Sequence, residues 1–258
     1  MAGAYSGIEM LVVEAARQLE DGAVVFAGVG LPIMAVGVAK QVQRKGITIL
    51  CESGTVDTVP TRLTLSVADP SLVRSSAILF SVNEVFSYVL QGGRVDIGLL
   101  GGAQVDRYGN VNSTVIGDYL SPRLRMPGSG GACEIASNAD RTIIMMPQDT
   151  RRFVGRVDFI TSPGHVVNGK PRKELGLRGN GPYAVISDLG LYRFDESSKE
   201  MYLAARHAGV EQDTISKNTA WDLKVAAEVQ ETAPPTPEEL DYIRRLDPDR
   251  IFLGRAGQ

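Results

Sequence analysis

The sequence has very few of the residues that most often carry enzyme chemistry. Its 258 residues include only two cysteines, Cys51 and Cys133, and two histidines, His165 and His207. Two cysteines exclude the disulfide framework of a small secreted protein, and the absence of a CxxC pair excludes a zinc-knuckle motif. The histidines do not stand at HExxH spacing, which excludes a zincin motif. If the chain is an enzyme, we expect carboxylates, hydroxyls or backbone amides to carry its reaction, with no metal ion.

Strong positive charge and long apolar runs are also missing. The formal net charge is −3, so the chain offers no basic surface for nucleic acid. No apolar run reaches the roughly 18 residues of a membrane span, and the first residues lack the basic start and cleavage site of a signal peptide. We therefore expect a cytoplasmic protein that binds neither nucleic acid nor membrane. With 43% hydrophobic residues, the chain can bury a sizeable core, in one large α/β domain or two small ones.

Segments typical of strands and helices alternate along the chain. Apolar residues at helical spacing predict helices over residues 8–19 and 34–42, and Pro234 precedes a terminal helix. Apolar runs predict strands at AVVFAGV (23–29), ITILCE (47–52), VDIGLLGG (95–102), RTIIMMP (141–147), VDFITSPG (157–164) and PYAVISDLG with LYRFDE (182–196). This order predicts an α/β fold with an open, mainly parallel sheet and flanking helices. Residues 106–132, rich in Gly, Asn, Ser and Pro, predict a long functional loop.

Glycine-containing turns follow several of these predicted strands. GVGLP (28–32) lies between a strand and a helix, where exposed amides can hold an anion or a developing oxyanion. It is not a dinucleotide fingerprint, because Ile33 occupies the position of the third glycine. LLGGAQV (99–105) and PGSGGA (127–132) could let a ligand approach the backbone closely, and Ser129 does not lie in the GxSxG elbow of a hydrolase. For each turn, a purely structural role is the alternative.

Glu52 is the strongest candidate for a reacting side chain. It lies in CESG (51–54), at the carboxyl end of a buried strand, where ligand sites gather in open α/β sheets. A carboxylate there could be a nucleophile or a base, or it could cap the next segment. We expect Cys51 to be a small buried hydrophobic residue. Arg151 and Arg152 could bind a phosphate or a carboxylate, or form an ordinary solvated charge pair.

Taken together and in order, several segments resemble the β subunit of class I CoA-transferases, most closely the glutaconate CoA-transferase branch. The matching segments are AGVGLP (27–32), CESGTVD (51–57), GGAQVDRYGNVNSTVIGDY (101–119), GSGGA (128–132), TIIMMPQDTRRF (142–153) and TSPG (161–164). MYLAAR (201–206) and DLKVA (222–226) in the tail are also similar. The resemblance implies a CoA-transferase-type subunit fold and a single β-subunit domain over residues 1–258.

The resemblance also implies roles for particular residues. Glu52 would be the covalent nucleophile, and the amides of Gly30 and Gly101 would hold an oxyanion. The backbone near coenzyme A would be formed by Gly28, Gly102, Ala103, Gly130 and Gly131. Coenzyme A or its acyl thioester would be a substrate, with no permanently bound cofactor. The expected partners are a homologous α subunit, in a heterodimer or larger assembly, and a small carboxylic acid.

The activity implied is the movement of CoA between a short-chain acyl-CoA and a free carboxylic acid, with a dicarboxylic acid as one candidate, through a glutamyl-CoA thioester on Glu52. Some relatives with this fold lack the glutamate and decarboxylate an acyl-CoA or open a ring. The presence of Glu52 favours a transferase over those relatives, and an acyl-CoA hydrolase or carbon–carbon lyase on the same fold is the alternative enzyme. A non-catalytic subunit that binds CoA or a partner is the alternative from a different class.

Overall fold

The computed structural model describes residues 5–254 apart from residues 60, 63 and 75. Its helices are α1 Gly7–Arg17, α2 Leu31–Gly37, α3 Val82–Glu84, α4 Ala132–Asn138, α5 Gln212–Lys217 and α6 Pro237–Leu246. α2 and α3 continue as π-helical segments at Val38–Val42 and Val85–Leu90, and short 3-10 helices lie at Pro70–Leu72 and Arg172–Leu175. The strands are β1 Val24–Ala27, β2 Thr48–Leu50, β3 Thr55–Val56, β4 Ile78–Leu79, β5 Ile97–Leu100, β6 Gln104–Val105, β7 Val111–Asn112, β8 Val115–Gly117, β9 Pro122–Arg125, β10 Arg141–Met145, β11 Val166–Val167, β12 Lys170–Pro171, β13 Gly181–Ile186, β14 Gly190–Phe194, β15 Met201–His207 and β16 Lys224–Thr232.

Ten strands form one sheet in the order β16-β15-β14-β13-β10-β5-β1-β2-β3-β4. The central strands β13, β10, β5, β1 and β2 are parallel. Antiparallel strands extend both sides, with β3 and β4 after β2 and with β14 and β15 after β13. The predicted α/β fold with an open, mainly parallel sheet is confirmed. Because parallel strands run in one direction, the turns that follow β2, β1, β5 and β10 meet at the same edge of the sheet.

The central strands are buried on both faces, which explains their continuous apolar sequences. In β1, Val25 and Ala27 pack with α1 and α2 on one face, and Phe26 packs on the other face beside α4. α4 lies directly on β5, because a Cβ at Gly98 would overlap the side chain of Ile135. This close packing fixes the position of α4 relative to the edge where the parallel strands end.

Most of the predicted elements are present at or near the predicted positions. α1 begins with a capping box formed by Ser6 and Glu9, and α6 begins with one formed by Thr236 and Glu239. The predicted pair of adjacent strands after residue 181 is the antiparallel pair β13 and β14. Residues 106–132 are not simply a loop, since they contain the short strands β7, β8 and β9. None of the helices in the described ranges is long and apolar enough to cross a membrane.

The strand predicted at residues 157–164 is wrong. The N–H groups of Thr161 and Ser162 both donate to the carbonyl of Val111, at 2.9 and 3.0 Å. Two successive amides directed at one acceptor cannot continue a regular ladder, in which bonding alternates along the strand. Gly164 N–H donates instead to the Asn110 side chain at 2.8 Å. The segment therefore folds around β7 rather than joining the main sheet.

Candidate active site

Glu52 lies in a tight turn that connects β2 to the antiparallel strand β3. Gly54 N–H donates to Cys51 O at 3.0 Å, and Cys51 N–H donates to Thr55 O at 3.0 Å. Phe80 N–H donates to Gly54 O at 2.9 Å. Gly54 has φ +97°, and a Cβ there would overlap the Phe80 carbonyl, so only glycine fits. The main chain on both sides of Glu52 is therefore fixed by hydrogen bonds.

The half-buried Glu52 side chain extends toward the start of α4. Its Oε1 lies 3.2 Å from the place that a Cβ on Gly131 would occupy, and 3.9 Å from the corresponding place on Gly130. The structure thus brings together two segments that sequence analysis predicted separately. Among the described residues, the carboxylate has no hydrogen-bond or ion-pair partner. Both of its oxygens are available to a ligand.

The start of α4 is tightly packed against Phe86. A Cβ on Gly131 would lie 2.6 Å from Phe86 Cζ, and the Phe86 ring packs on Phe26 with ring centres 5.6 Å apart. Ser129 Oγ accepts the N–H of Cys133, in the first turn of α4, at 3.0 Å. Sequence reasoning missed Phe86, because it stands in an ordinary apolar segment without any motif.

Two of the predicted glycines, Gly28 and Gly101, leave open space at the same edge. No heavy atom lies within 4 Å of a Cβ placed on Gly28, and the nearest to one on Gly101 is Met145 O at 3.6 Å. They follow β1 and β5, the first and second neighbours of β2 in the sheet. With about 4.8 Å between strands, both lie within roughly 10 Å of the Glu52 turn in the direction across the sheet.

The remaining predicted residues at this edge are more enclosed. Gly30 is buried, with φ 97° and ψ −138°, and Phe252 lies 3.5 Å from the place of its missing Cβ. A Cβ on Gly102 would overlap a methyl group of Val111. Ala103 N–H donates to Asn112 O at 2.8 Å, which leaves this amide already bound. Gly102 and Ala103 therefore have a structural role in the packing of the loop, whether or not they also contact a ligand.

The scarce histidines and the buried cysteine have structural surroundings. His165 Nε2 bonds Pro182 O at 2.7 Å, and His207 Nε2 bonds Ser187 O at 2.9 Å. Burial lowers the pKa of each imidazole to about 4, so both are neutral near pH 7. Burial raises the pKa of the Cys51 thiol, and its place in the core confirms the prediction of a buried hydrophobic residue. No cluster of three or more His, Cys, Asp or Glu side chains with metal-binding potential occurs within the described residues.

Comparison with known proteins places the chain in a family. The family model described as "Coenzyme A transferase" matches residues 8–218. The chain belongs to the coenzyme A transferase family. It is 45% identical to the B-type subunit of 3-oxoadipate CoA-transferase from Pseudomonas knackmussii, over 95% of this chain and 94% of that one. It is 40% identical to the B-type subunit of glutaconate CoA-transferase from Acidaminococcus fermentans, over 96% and 95% of the two chains.

Solved structures of similar fold support the same family assignment as the relatives found by sequence. The crystal structure of glutaconate coenzyme A-transferase from Acidaminococcus fermentans matches with a TM-score of 0.88 and 38% identity, covering 98% of both chains. The structure of the decarboxylase AibA/AibB matches with a TM-score of 0.82 and 26% identity, covering 98% of this chain and 99% of that one. The predicted resemblance to glutaconate CoA-transferase is confirmed, and the chain is a CoA-transferase subunit of the B type.

This CoA-transferase subunit exposes an apolar surface beside the Glu52 turn, here called the edge patch. It comprises Ile78 and Leu79 of β4 and the nearby Val82, and each of these side chains is more than half exposed. Ile78 and Leu79 form β4, the last strand of the sheet in the described structure. An uncovered apolar edge strand is a ready surface for pairing with another chain.

Proposed function

We propose that this chain is the catalytic β subunit of a CoA-transferase that moves CoA between a short-chain acyl-CoA and a free dicarboxylic acid. The observation that carries the proposal is the unpartnered Glu52 carboxylate, fixed at the carboxyl edge of the sheet beside Gly130 and Gly131. The relatives support the acid class, because 3-oxoadipate and glutaconate both carry two carboxylates. We assign the whole chain, residues 1–258, to one domain, since the main sheet uses strands from Val24 to Thr232.

The reaction begins with attack on the donor thioester. An oxygen of Glu52 adds to the acyl carbonyl, the carbon–sulfur bond breaks, and CoA leaves as a thiolate. The product is a mixed anhydride between the acyl group and Glu52. The thiolate then attacks the glutamyl carbonyl, which releases the donor acid as a carboxylate and leaves a glutamyl-CoA thioester on Glu52.

The second half of the reaction runs through the same intermediates in reverse. The acceptor carboxylate attacks the glutamyl thioester and releases CoA thiolate, which then attacks the new acyl carbonyl and restores Glu52. The kinetics are therefore ping-pong. Backbone amides of Gly30 and Gly101 stabilise the tetrahedral oxyanions, at about 3 kcal/mol for each well-placed donor. The site must exclude water, because the anhydride and the thioester both hydrolyse.

A homologous α subunit completes this site in our proposal. The relatives are named as B-type subunits, and the edge patch includes β4, the strand directly before Phe80, whose N–H donates to Gly54 of the Glu52 turn. An α subunit that covers Leu79 and its neighbours would bury apolar surface and close the open side of Glu52 in one step. The acid-binding pocket would then be shared between the two chains.

Trapping the intermediate tests the proposal directly. The αβ complex is incubated with acyl-CoA and reduced with borohydride, which converts the glutamyl thioester to an alcohol. Peptide mass spectrometry should then locate the change on Glu52. Glu52→Gln should abolish exchange, and Glu52→Asp should impair exchange more than acyl-CoA binding, because the shorter side chain cannot reach the thioester carbonyl.

A matched control is Glu134→Gln on α4. Glu134 lies three residues after Gly131, and its carboxylate accepts from Gln91 Nε2 at 3.2 Å and from Asn138 Nδ2 at 3.1 Å, so exchange should be retained. An unmodified Glu52 in an actively exchanging enzyme would refute the mechanism. Turnover of acyl-CoA without an acceptor acid, at the rate of exchange, would identify a hydrolase or lyase instead. Full activity of Glu52→Ala in the complex would identify a non-catalytic binding subunit.

A further inference from the structure

A cleft lined by arginines opens beside the glycines that follow β5. It has a volume of about 530 Å³ and is bounded by Ala103 and Gln104, by the hairpin β8–β9 and by the segment after β10. Arg123 comes from the hairpin, and Arg151 and Arg152 come from the segment after β10. We call this feature the arginine cleft. Arg151 and Arg152 are the pair that sequence analysis could not assign, and Arg123 carries no sequence signal of its own.

Two of the three guanidinium groups of the arginine cleft are largely exposed to solvent. Arg151 and Arg152 both pair with Asp149, at 3.2 and 3.5 Å, and Arg123 approaches Asp158 at 4.0 Å. The Asp188 carboxylate also interacts electrostatically with Arg152, so three carboxylates neighbour the three guanidinium groups. The Arg123 and Arg151 side chains are 78% and 89% exposed, so most of their donors point to solvent. Such donors are free to bind an anionic ligand.

The two carboxylates of the cleft are already bound to other donors. Asp149 Oδ1 accepts the N–H groups of Arg151 and Arg152, at 2.8 and 3.0 Å. Asp158 Oδ2 accepts the N–H of Gly117 at 2.8 Å. These bonds hold the loops in shape, so the carboxylates shape the cleft rather than simply neutralising the arginines. A ligand anion can bind the guanidinium groups without breaking the hydrogen bonds between these carboxylates and the backbone.

The backbone that carries Arg151 and Arg152 is attached to the loop after β5. Val105 N–H donates to Arg152 O at 2.7 Å, and Val154 N–H donates to Val105 O at 3.0 Å. β6, which contains Val105, begins directly after Ala103. The arginines therefore stand at a fixed position relative to Gly101 and Gly102, and binding does not require the loop to become ordered.

We propose that the arginine cleft binds the phosphate groups of coenzyme A, an inference that rests on the proposed function. Several guanidinium groups suit the several negative charges of the diphosphate and 3′-phosphate of coenzyme A. The second carboxylate of an acid substrate needs only one guanidinium group, in a bidentate pair. β5 lies two strand positions from β2, about 10 Å across the sheet. The pantetheine arm, reaching from a thioester at Glu52 past the open side of Gly101, leads to this cleft.

Kinetics with shortened substrates test the inference. In the αβ complex, Arg151→Met with Arg152→Met should raise the KM for acyl-CoA about 10-fold to 100-fold, because charge-assisted hydrogen bonds are lost. The value of kcat and the KM for the acid should stay within about twofold, since these groups do not touch the reacting atoms. With acyl-pantetheine, which lacks all phosphates, wild type and variant should have equal KM values. Dephospho-acyl-CoA lacks only the 3′-phosphate, so the effect of the double variant on its KM shows how much of the binding comes from the diphosphate and how much from the 3′-phosphate.

Arg245→Met is the matched control, because Arg245 is 70% exposed and pairs with a nearby aspartate, as Arg151 does, but lies on α6. It should leave every constant unchanged. A raised KM for the acid alone would show that the cleft holds the second carboxylate and would overturn the inference. Unchanged KM values for acyl-CoA in the double variant would overturn it as well. Either result leaves the proposed function intact if Glu52→Gln still abolishes exchange and wild-type Glu52 is still trapped.

Discussion

The neighbouring glycines Gly101 and Gly102 should respond in opposite ways to alanine. Both follow β5 at the edge of the sheet that carries the Glu52 turn, and both lie in the segment that resembles known CoA-transferases. A new Cβ on Gly101 would point into open space, with Met145 O as the nearest atom at 3.6 Å. A new Cβ on Gly102 would overlap Val111, which is fully buried, and would lie 3.2 Å from Asn112 O. Gly102→Ala should therefore disturb the fold, and Gly101→Ala should disturb only the ligand.

The expected magnitudes follow from these surroundings. Overpacking a closed site costs about 1–3 kcal/mol, and for a chain of this size each kcal/mol lowers Tm by about 2–4 °C. We therefore expect Gly102→Ala to lower Tm by about 2–12 °C. Gly101→Ala should change stability by no more than about 0.5 kcal/mol, as is usual for an unconstrained surface position. If acyl-CoA passes over Gly101, the added methyl group should reduce kcat/KM for acyl-CoA about tenfold, a loss of about 1.4 kcal/mol.

Both variants are measured as αβ complexes, by calorimetric unfolding and by CoA exchange at limiting acyl-CoA. A wild-type kcat/KM in Gly101→Ala would refute the expected effect on the ligand, because the open side of that glycine would then face no substrate. A wild-type unfolding temperature in Gly102→Ala would refute the expected effect on the fold, because the packing against Val111 would then be easily rearranged.

Three further predictions concern other parts of the molecule. Gly131→Ala should reduce kcat about tenfold or more in exchange assays, because the new Cβ would lie 2.6 Å from Phe86 Cζ and 3.2 Å from Glu52 Oε1. Adding Phe86→Leu should restore part of the activity, because it removes the closest of these contacts. Stability in urea should fall as the pH drops from 6.5 toward 4, by about 3 kcal/mol for His207, because burial lowers its pKa from 6.5 to about 4 and the unfolded chain therefore binds more protons in this window. His207→Gln should weaken that pH dependence, and an unchanged slope would contradict it. Leu79→Lys should prevent co-elution with the α subunit in size-exclusion chromatography, because it places a charge on the edge patch, whereas Val225→Lys at the opposite edge of the sheet should not. Dissociation by both variants, or by neither, would disprove that the α subunit binds the edge patch.

The central part of the fold could be predicted from the sequence. The apolar runs of β1, β2, β5 and β10 are continuous because these strands are covered on both faces, and a run of this kind is visible without any structure. Their shared direction places the following turns at one edge of the sheet. The order β5-β1-β2, which brings Gly28 and Gly101 near Glu52, is known only from the structure.

The finer features could not be predicted, because they depend on contacts between distant segments. The approach of Glu52 to Gly131 requires α4 to lie directly on Gly98, which no local pattern reveals. The segment 157–164 has the composition of a strand, but bonds from Val111 and Asn110 decide its path. The arginine cleft forms because a hairpin and a distant loop come together beside Ala103. In each case the deciding partner lies far away along the chain.

The turn that carries Glu52 has a consequence for how chemistry can change on this fold. Its closing bonds join Cys51, Gly54, Thr55 and Phe80 through main-chain atoms, and no atom of the Glu52 side chain contributes to them. The residue at position 52 can therefore be exchanged without rebuilding the backbone around it. A decarboxylase shares this fold at a TM-score of 0.82. On such a scaffold, the side chain at position 52 can change without loss of the main-chain bonds that shape the turn, so few substitutions are needed to alter the chemistry at this edge.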